Sequence, residues 1–272
     1  MFLGYAAGVG KTFQMLTEAH DLKDRGVDVV VGYFEPHGRK ETIALTEGLE
    51  MIPRRQVEYR GAAFEEMDTD AILRRKPAVA VVDEFPHTNV PGSPRAKRWE
   101  DVDLLLDAGI DVWTTMNVQH LESLNDQIWQ STGVRVRETI PDWVVKRADE
   151  VVMVDLTPKA LLNRLERGVV YSPERAKAAM ENFFKEGTLA ALRELAMRQT
   201  AHALETTRPG ESTRWKSPDT GRDYTVTPTR AYNTSGGSPC REYRIETVID
   251  GRPQAATGNA CREPEGNWRA QG

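Results

Sequence analysis

The fold is decided by the opening stretch of the chain, Met1-Phe2-Leu3-Gly4-Tyr5-Ala6-Ala7-Gly8-Val9-Gly10-Lys11-Thr12. Its first three residues predict the end of an apolar strand, and the residues from Thr12 onward have the spacing of an amphipathic helix. Gly8 and Gly10 allow the backbone to curl so that successive N–H groups point at an anion. Lys11 can reach the outer phosphates of a nucleotide, and the Thr12 hydroxyl can hold Mg²⁺. The stretch therefore predicts a phosphate-binding loop (P-loop), with Gly8, Val9, Gly10, Lys11 and Thr12 around the phosphates.

The loop departs from the usual motif at one position. The spacing G-x-x-x-x-G-K-[ST] places a glycine where this chain has Tyr5, and Gly4 lies one residue early. The core from Gly8 to Thr12 is intact, so we interpret it as a variant P-loop (a variant Walker A site). The alternative is a glycine-rich turn between a strand and a helix, with a surface lysine.

Composition limits the classes of function. The chain has 272 residues, 28% of them charged, and a net charge of −5, which argues against a general nucleic-acid binder. No apolar run approaches the roughly 18 residues of a membrane helix, so we expect no membrane-spanning segment. We expect no zinc site, because His and Cys do not cluster at ligand spacing.

Strand and helix patterns alternate through residues 1–205. This alternation predicts a three-layer α/β domain with a mostly parallel sheet. The first helix is expected to bury a stripe that includes Phe13, Leu16 and Ala19. The predicted strands are Val27–Tyr33, Val57–Tyr59, Ala78–Asp83, Asp111–Met116 and Val151–Asp155. The predicted helices are Thr12–Lys23, Arg39–Glu50, Asp68–Arg75, Glu100–Ala108, His120–Gln130, Pro141–Ala148, Pro158–Arg167, Pro173–Phe184 and Thr188–Glu205.

The composition changes near residue 206. Residues 206–212 have the composition of a linker, and residues 206–272 carry a net charge of +2, against −7 for residues 1–205. We therefore expect a domain over 1–205, and a linker with a small β module over 206–272. Residues 1–205 contain no cysteine, which suits a reducing cytosol.

Both cysteines lie in the predicted β module. Residues 240–249 alternate as a strand, and Asp250-Gly251 is a strong two-residue hairpin turn. Pairing about that turn places Cys240 opposite Cys261, at a separation that a disulfide tolerates. Two unpaired thiols are the alternative.

A second acidic motif follows the strand Val79–Val82. Asp83 can bind Mg²⁺ through water at the carboxyl edge of the sheet, and Glu84 is a candidate catalytic group that orients or deprotonates a water. The alternative for both is an ordinary polar strand end. Polar residues also follow two other strands at this edge, and they are Glu35, His37, Arg39, Asn117, Gln119 and His120.

Asn117, Gln119 or His120 can sense a terminal phosphate, whereas Asn117 is equally suited to cap the following helix. His37 is better explained as a hydrogen-bonding loop residue than as a catalyst. The long loop of residues 85–99 carries basic side chains that could reach phosphate, although a solvated basic loop is the stronger interpretation. Those side chains are Arg95, Lys97 and Arg98.

These motifs resemble, in order and spacing over residues 2–205, the N-terminal domain of the KdpD family of bacterial osmosensitive potassium-channel sensor histidine kinases. The resemblance implies a cytoplasmic input domain that binds ATP and Mg²⁺ and influences how the kinase phosphorylates a response regulator controlling potassium uptake; full-length members lie in the inner membrane. The family's nucleotide residues correspond to Gly8, Gly10, Lys11, Thr12 and Asp83. The matching segments are Gly4–Thr12, Val31–Arg39, Val82–Asn89, Lys97–Val102, Thr115–Asp126 and Glu181–Phe184.

Residues 206–272 are similar instead to the C-terminal module of glycine-zipper bacterial surface antigens, which implies an extracytoplasmic compartment. Three functions stay open on the sequence. The chain is a regulatory ATP-binding domain, a stand-alone P-loop NTPase or small-molecule kinase, or an envelope interaction module defined by its β tail.

Overall fold

A computed structural model describes residues 1–132, 135–171, 176, 184–193, 212–216, 223–234, 239–249, 252–262 and 268–271. The strands of the first part are β1 Phe2–Gly4, β2 Val29–Tyr33, β3 Glu50–Met51, β4 Arg55–Tyr59, β5 Ala62–Glu66, β6 Val79–Val82, β7 Asp111–Asn117 and β8 Glu150–Met153. The helices are α1 Lys11–Asp24, α2 Lys40–Ala44, α3 Thr69–Arg75, α4 Arg98–Asp107, α5 Asn125–Thr132, α6 Asp142–Lys146 and α7 Pro158–Glu166. Residues 186–193 are also helical.

The first part is an α/β fold with a six-stranded parallel sheet in the order β8-β1-β7-β6-β2-β3. Every residue of β2 and of β6 is buried, as expected for parallel strands that are covered on both faces. The predicted α/β class and mostly parallel sheet are confirmed. Because the strands are parallel, the carboxyl ends of β1, β2, β6 and β7 meet at one edge, where open α/β sheets bind ligands.

Two predicted helices are wrong in part, and one strand was not predicted. The second helix ends at Ala44 rather than Glu50, because turns at residues 45–48 lead through Gly48 (φ +82°) into β3. The helix predicted from His120 begins only at Asn125, after two 3-10 turns, because Leu121 adopts an extended backbone conformation. Strand β5 was not predicted; it forms a hairpin with β4.

The buried face of α1 also differs from the prediction. Phe13 is 44% exposed, whereas Met15, Leu16 and Ala19 are buried. The helix starts one residue earlier than predicted, and its core-facing stripe passes through Met15 instead of Phe13. Leu16 and Ala19 are as expected.

The described residues of the tail form an all-β module, as predicted. Its strands are β9 Ser212–Lys216, β10 Asp223–Asn233, β11 Pro239–Ile249, β12 Arg252–Arg262 and β13 Trp268–Gln271. Strands β9 to β13 are antiparallel neighbours, and β9 pairs in parallel with β8, so the tail extends the main sheet.

Cys240 lies opposite Cys261 in the β11–β12 pair, and the two form a disulfide with a Cα–Cα distance of 4.0 Å. The predicted pairing is thus confirmed. The predicted turn at residues 250–251, most of the linker at 206–212 and most of the helices at 173–184 and 188–205 lie outside the described residues. None of the helices that the structure describes is long and apolar enough to cross a membrane.

Candidate functional site

The loop between β1 and α1 has the backbone that its glycines predict. Gly8 and Gly10 have φ values of +88° and +109°, and Gly10 is the N-cap of α1 with no side-chain cap. A Cβ on Gly4 would lie 2.7 Å from the side chain of Val9, so a glycine is required one position before the motif's usual place. The Tyr5 side chain is instead buried in the core, and its hydroxyl donates to the Leu156 carbonyl at 2.8 Å. The departure from the usual spacing therefore has a packing reason.

Thr12 and Asp83 come together at the start of α1. The Thr12 hydroxyl donates to Asp83 Oδ1 at 3.1 Å, although 71 residues separate the two in sequence. The Asp83 carboxylate also accepts the Thr115 hydroxyl at 2.5 Å and the Glu35 backbone N–H at 3.4 Å. Burial and the neighbouring charge of Glu84 raise the pKa of Asp83. The site thus holds a hydroxyl and a buried carboxylate side by side, which are oxygen ligands of the kind that Mg²⁺ prefers.

Lys11 is buried beside them. Its ammonium group donates to Asn117 Oδ1 at 2.6 Å and to the Ala6 carbonyl at 3.3 Å. Burial lowers the pKa of Lys11 to about 8, against the opposing pull of Glu84 and Asp83. The Asn117 side chain makes no capping hydrogen bond to the 3-10 turn that follows it, so its contact is with Lys11.

Glu84 follows Asp83 in the loop after β6, and it contacts His37 in the loop after β2. The Glu84 carboxylate is hydrogen-bonded to His37 Nε2 at 3.1 Å, and both residues have positive φ values, +55° and +47°. Burial raises the pKa of Glu84, but the contact with His37 and the charge of Lys11 outweigh it and lower that pKa to about 2. His37 is therefore a hydrogen-bonding loop residue, as expected. His120 lies behind, where its Nδ1 is hydrogen-bonded to the Glu138 carbonyl at 2.7 Å and burial lowers its pKa.

The basic residues of the long loop are arranged differently from the favoured interpretation. Arg98 is fully buried, and its guanidinium lies 3.6 Å from the Tyr33 ring centroid. It donates to the backbone carbonyls of Asp83 at 3.2 Å and Glu84 at 3.3 Å, and to the Glu66 carboxylate at 3.3 Å. The solvated interpretation is wrong for Arg98, because α4 begins there and directs its side chain under the end of β6.

The other two basic residues of that loop also have partners within the chain. Arg95 pairs with Asp101, and Lys97 donates to the Thr88 hydroxyl at 2.7 Å. Glu66, at the end of β5, was missed by sequence reasoning, since a lone glutamate in a polar hairpin carries no signal of burial. The Gln119 Oε1 atom is buried with no hydrogen-bond partner. Among the described residues, no group of three or more His, Cys, Asp or Glu side chains could hold a metal ion by itself.

Comparisons with known proteins divide the chain in two. Residues 1–204 match the family model described as "Osmosensitive K+ channel His kinase sensor domain", and residues 202–269 match "17 kDa outer membrane surface antigen". The chain is similar to the "Sensor protein KdpD" of Mycobacterium tuberculosis, at 56% identity over 72% of this chain and 23% of that protein. It is also similar to the Escherichia coli protein of the same name, at 50% identity over 80% of this chain and 25% of that protein.

The tail has its own relative. Over 28% of this chain it is 44% identical to the "17 kDa surface antigen" of Rickettsia bellii, covering 48% of that protein. The chain spans about a quarter of the length of the two sensor proteins named above. Since a family model matches three quarters of its residues, the chain belongs to the family of osmosensitive K⁺ channel His kinase sensor domains.

Proposed function

We propose that residues 1–205 bind MgATP and act as the regulatory input domain of a sensor histidine kinase in a two-component system that controls potassium uptake. The observation that carries the proposal is the convergence of Thr12 and Asp83, 3.1 Å apart, at the start of α1 beside a loop with two positive-φ glycines. In P-loop proteins the threonine hydroxyl and a carboxylate at a strand end hold Mg²⁺, and the loop's backbone N–H groups hold the phosphates.

The residues present fit such a ligand. Gly10 leaves the first backbone N–H groups of α1 without a side-chain cap, so they can donate to an anion. Lys11 supplies a positive charge, and Asn117 holds it in place. A bound Mg²⁺ would neutralise part of the phosphate charge. Thr12 and Asp83 would each contribute an oxygen, and Gly8, Val9 and Gly10 would line the phosphates.

Regulation is favoured over rapid turnover. A general base works best when its pKa lies near the operating pH, and the contacts of Glu84 lower its pKa to about 2. Glu84 can therefore orient a water molecule but is a weak proton acceptor. We expect slow hydrolysis of ATP, with the bound state serving as the signal. A stand-alone NTPase or kinase would instead show rapid phosphoryl transfer, lost in Glu84→Gln while nucleotide binding persists.

The output of the domain is inferred from its relatives. The matching proteins of M. tuberculosis and E. coli are called sensor proteins, and this chain corresponds to about a quarter of each. We propose that its partners are the remainder of such a kinase and its response regulator, on the cytoplasmic side. Residues 206–272 would form a linker and a small β module, whose first strand β9 pairs with β8.

The test of nucleotide binding is a series of melting temperatures with ATP, ADP and GTP, with and without Mg²⁺. Ligand at about 100 times its Kd stabilises a protein by about 2.7 kcal/mol. We expect MgATP to raise the melting temperature of the wild-type chain by the amount that corresponds to this stabilisation. The control variant Lys159→Ala, which alters an exposed lysine of α7, should show the same rise. Lys11→Ala should lose it. An unchanged shift in Lys11→Ala would refute the assignment of the site.

One observation favours the envelope alternative. Cys240 and Cys261 form a disulfide, and disulfides persist mainly in oxidising compartments. Blocking free thiols in intact cells, followed by mass spectrometry, would determine the redox state of the pair. An oxidised pair in an envelope fraction would support the alternative, and a reduced pair in the cytosol would oppose it.

A further inference from the structure

Two arginines border the glycine loop, and the P-loop motif does not account for either. Arg39 is the N-cap residue of α2, at the end of the loop that follows β2, and Arg164 lies in the last turn of α7. The Arg164 Nη1 atom donates to the Gly8 carbonyl at 3.2 Å. The Arg39 Nε atom donates to the Val170 carbonyl at 3.4 Å, and Val170 itself packs against Gly8. Segments distant in sequence thus bring both guanidinium groups to one loop.

Both guanidinium groups have unused hydrogen-bonding capacity. An arginine carries five N–H donors, and each of these two makes one hydrogen bond, to a carbonyl, among the described residues. Neither forms an ion pair with a carboxylate in the part of the chain that the structure describes, although both are half-buried. By contrast, Arg75 contacts both Asp28 and Glu50 although it is more exposed to solvent. Their unused N–H donors can therefore bind an anion.

The positions of the two charges differ. Arg164 Nη1 lies 3.6 Å from where a Cβ on Gly10 would be, so it faces the glycines of the loop. Arg39 ends the loop between β2 and α2, and that loop contacts both acidic residues after β6: the Glu35 N–H donates to Asp83 Oδ2 at 3.4 Å, and His37 Nε2 is hydrogen-bonded to Glu84 at 3.1 Å. Since Asp83 and Glu84 are expected beside the metal and the terminal phosphate, we infer that Arg39 approaches the nucleotide from the side of the terminal phosphate.

We propose that Arg39 and Arg164 are phosphate-binding residues of this site, and that Arg39 makes the site prefer nucleoside triphosphates over diphosphates. A guanidinium presents a planar fork of donors that matches a phosphate group. Arg39 meets the terminal phosphate, which only the triphosphate carries. Arg164 meets the phosphates that ATP and ADP share. The inference rests on the proposed function, because it concerns the same nucleotide.

The experiment measures the Kd of MgATP and MgADP by calorimetry in the full chain. Arg39→Gln should weaken ATP binding by about tenfold or more, the size expected for a charge-assisted hydrogen bond, and ADP binding by less than about threefold. Arg164→Gln should weaken both by about tenfold. The matched control is Arg25→Gln, an exposed arginine at the far end of α1, which should leave both values unchanged. Arg39→Lys keeps the charge without the fork, and its ATP affinity should fall between the wild-type and Arg39→Gln values.

The outcomes separate the two proposals. If Lys11→Ala loses ATP binding but Arg39→Gln and Arg164→Gln bind both nucleotides as the wild type does, this inference is overturned and the nucleotide site stands. Equal loss of ATP and ADP binding in Arg39→Gln would overturn its role in selecting triphosphates. If Lys11→Ala also binds as the wild type does, the proposed function itself fails. Melting temperatures measured without nucleotide identify a glutamine variant that is misfolded. If one is, the lysine variant at the same position (Arg39→Lys or Arg164→Lys), which keeps the charge, is used to test the role of that arginine.

Discussion

Lys11 is buried, and nearby carboxylates only partly compensate the positive charge of its ammonium group in the free protein. An ordinary lysine has a pKa near 10.4, whereas burial lowers that of Lys11 to about 8. Among the residues that the structure describes, its side-chain hydrogen-bond partner is the amide oxygen of Asn117, at 2.6 Å. Asp83 and Glu84 attract its charge and Arg39 repels it. A bound anion would therefore stabilise the charged form of this ammonium group.

The lowered pKa of Lys11 predicts that nucleotide affinity falls as the pH rises above about 8. A phosphate would bind the charged form of Lys11, so the pKa in the complex would lie above the value of about 8 in the free protein. Between the two values, binding takes up a proton and the Kd rises by up to about tenfold per pH unit. Calorimetry at pH 7, 8 and 9, in two buffers of different ionisation enthalpy, measures both effects.

A Lys23→Ala variant serves as the control, since it alters an exposed lysine at the other end of α1 and should keep the same slope. An affinity that is constant from pH 7 to pH 9 would show that Lys11 does not titrate on binding.

Arg98 carries a stability prediction of its own. Its guanidinium is fully buried against Glu66 and the carbonyls of Asp83 and Glu84. Removing one partner of a buried ion pair leaves an uncompensated charge, which costs about 3–5 kcal/mol. Arg98→Met should lower the free energy of unfolding by that amount in urea denaturation.

The matched control is Arg147→Met, because Arg147 pairs with Asp103 at 3.2 Å in an exposed position. An exposed pair contributes about 0–1 kcal/mol. Similar losses in the two variants would show that Arg98 does not support the end of β6.

At the scale of elements, the segment after α7 packs over the glycine loop. A Cβ on Gly8 would lie 2.6 Å from the Val170 side chain, and Gly8 has φ +88°. Gly26 has a similar φ, +82°, but nothing lies within 4 Å of its Cβ position. Replacing either glycine with alanine would therefore strain the backbone to a similar extent, but only at Gly8 would the added Cβ collide with a neighbouring side chain.

Gly8→Ala should therefore destabilise the chain more than Gly26→Ala does. The left-handed backbone costs about 1–2 kcal/mol in both variants, and overpacking against Val170 adds about 1–3 kcal/mol in Gly8→Ala alone. Urea denaturation without nucleotide measures the difference. Adding Val170→Ala to Gly8→Ala should recover the extra loss, and no recovery would mean that Val170 does not pack on the loop.

At the scale of the whole molecule, one sheet joins the two parts of the chain. Strand β9 pairs with β8, and Arg214 of β9 contacts Glu18 of α1 at 2.5 Å and Glu150 of β8 at 2.5 Å. The disulfide lies farther out, between β11 and β12. The two cysteines are separated by 21 positions in sequence, and for a loop of that size the chain-entropy model gives about 3 kcal/mol.

Reducing that disulfide should destabilise the tail without changing the proposed nucleotide site. We expect reductant to lower the free energy of unfolding of the β module by about 3 kcal/mol, while the MgATP-dependent shift in melting temperature stays the same. Scanning calorimetry with and without reductant measures both. A Cys240→Ser/Cys261→Ser variant is the control and should not respond to reductant; a response there would trace the effect to another cause.

The sequence by itself determined the features that local residue patterns specify. The glycine spacing predicts the loop, the unbroken apolar run predicts the buried strand β6, and the distance of Cys240 and Cys261 from the predicted turn sets their register. Each of these follows from residues close together along the chain, where backbone preference and periodicity act.

Only the tertiary structure decided which polar residues meet at the carboxyl edge of the sheet. The burial of Arg98, the contact of Glu84 with His37 and the approach of Arg39 and Arg164 to the glycine loop have no period or spacing in the sequence. They depend on the order of strands in the sheet and on which helix crosses over which loop. Those choices are made by packing between segments that are far apart in sequence, and the chemistry of the site follows from them.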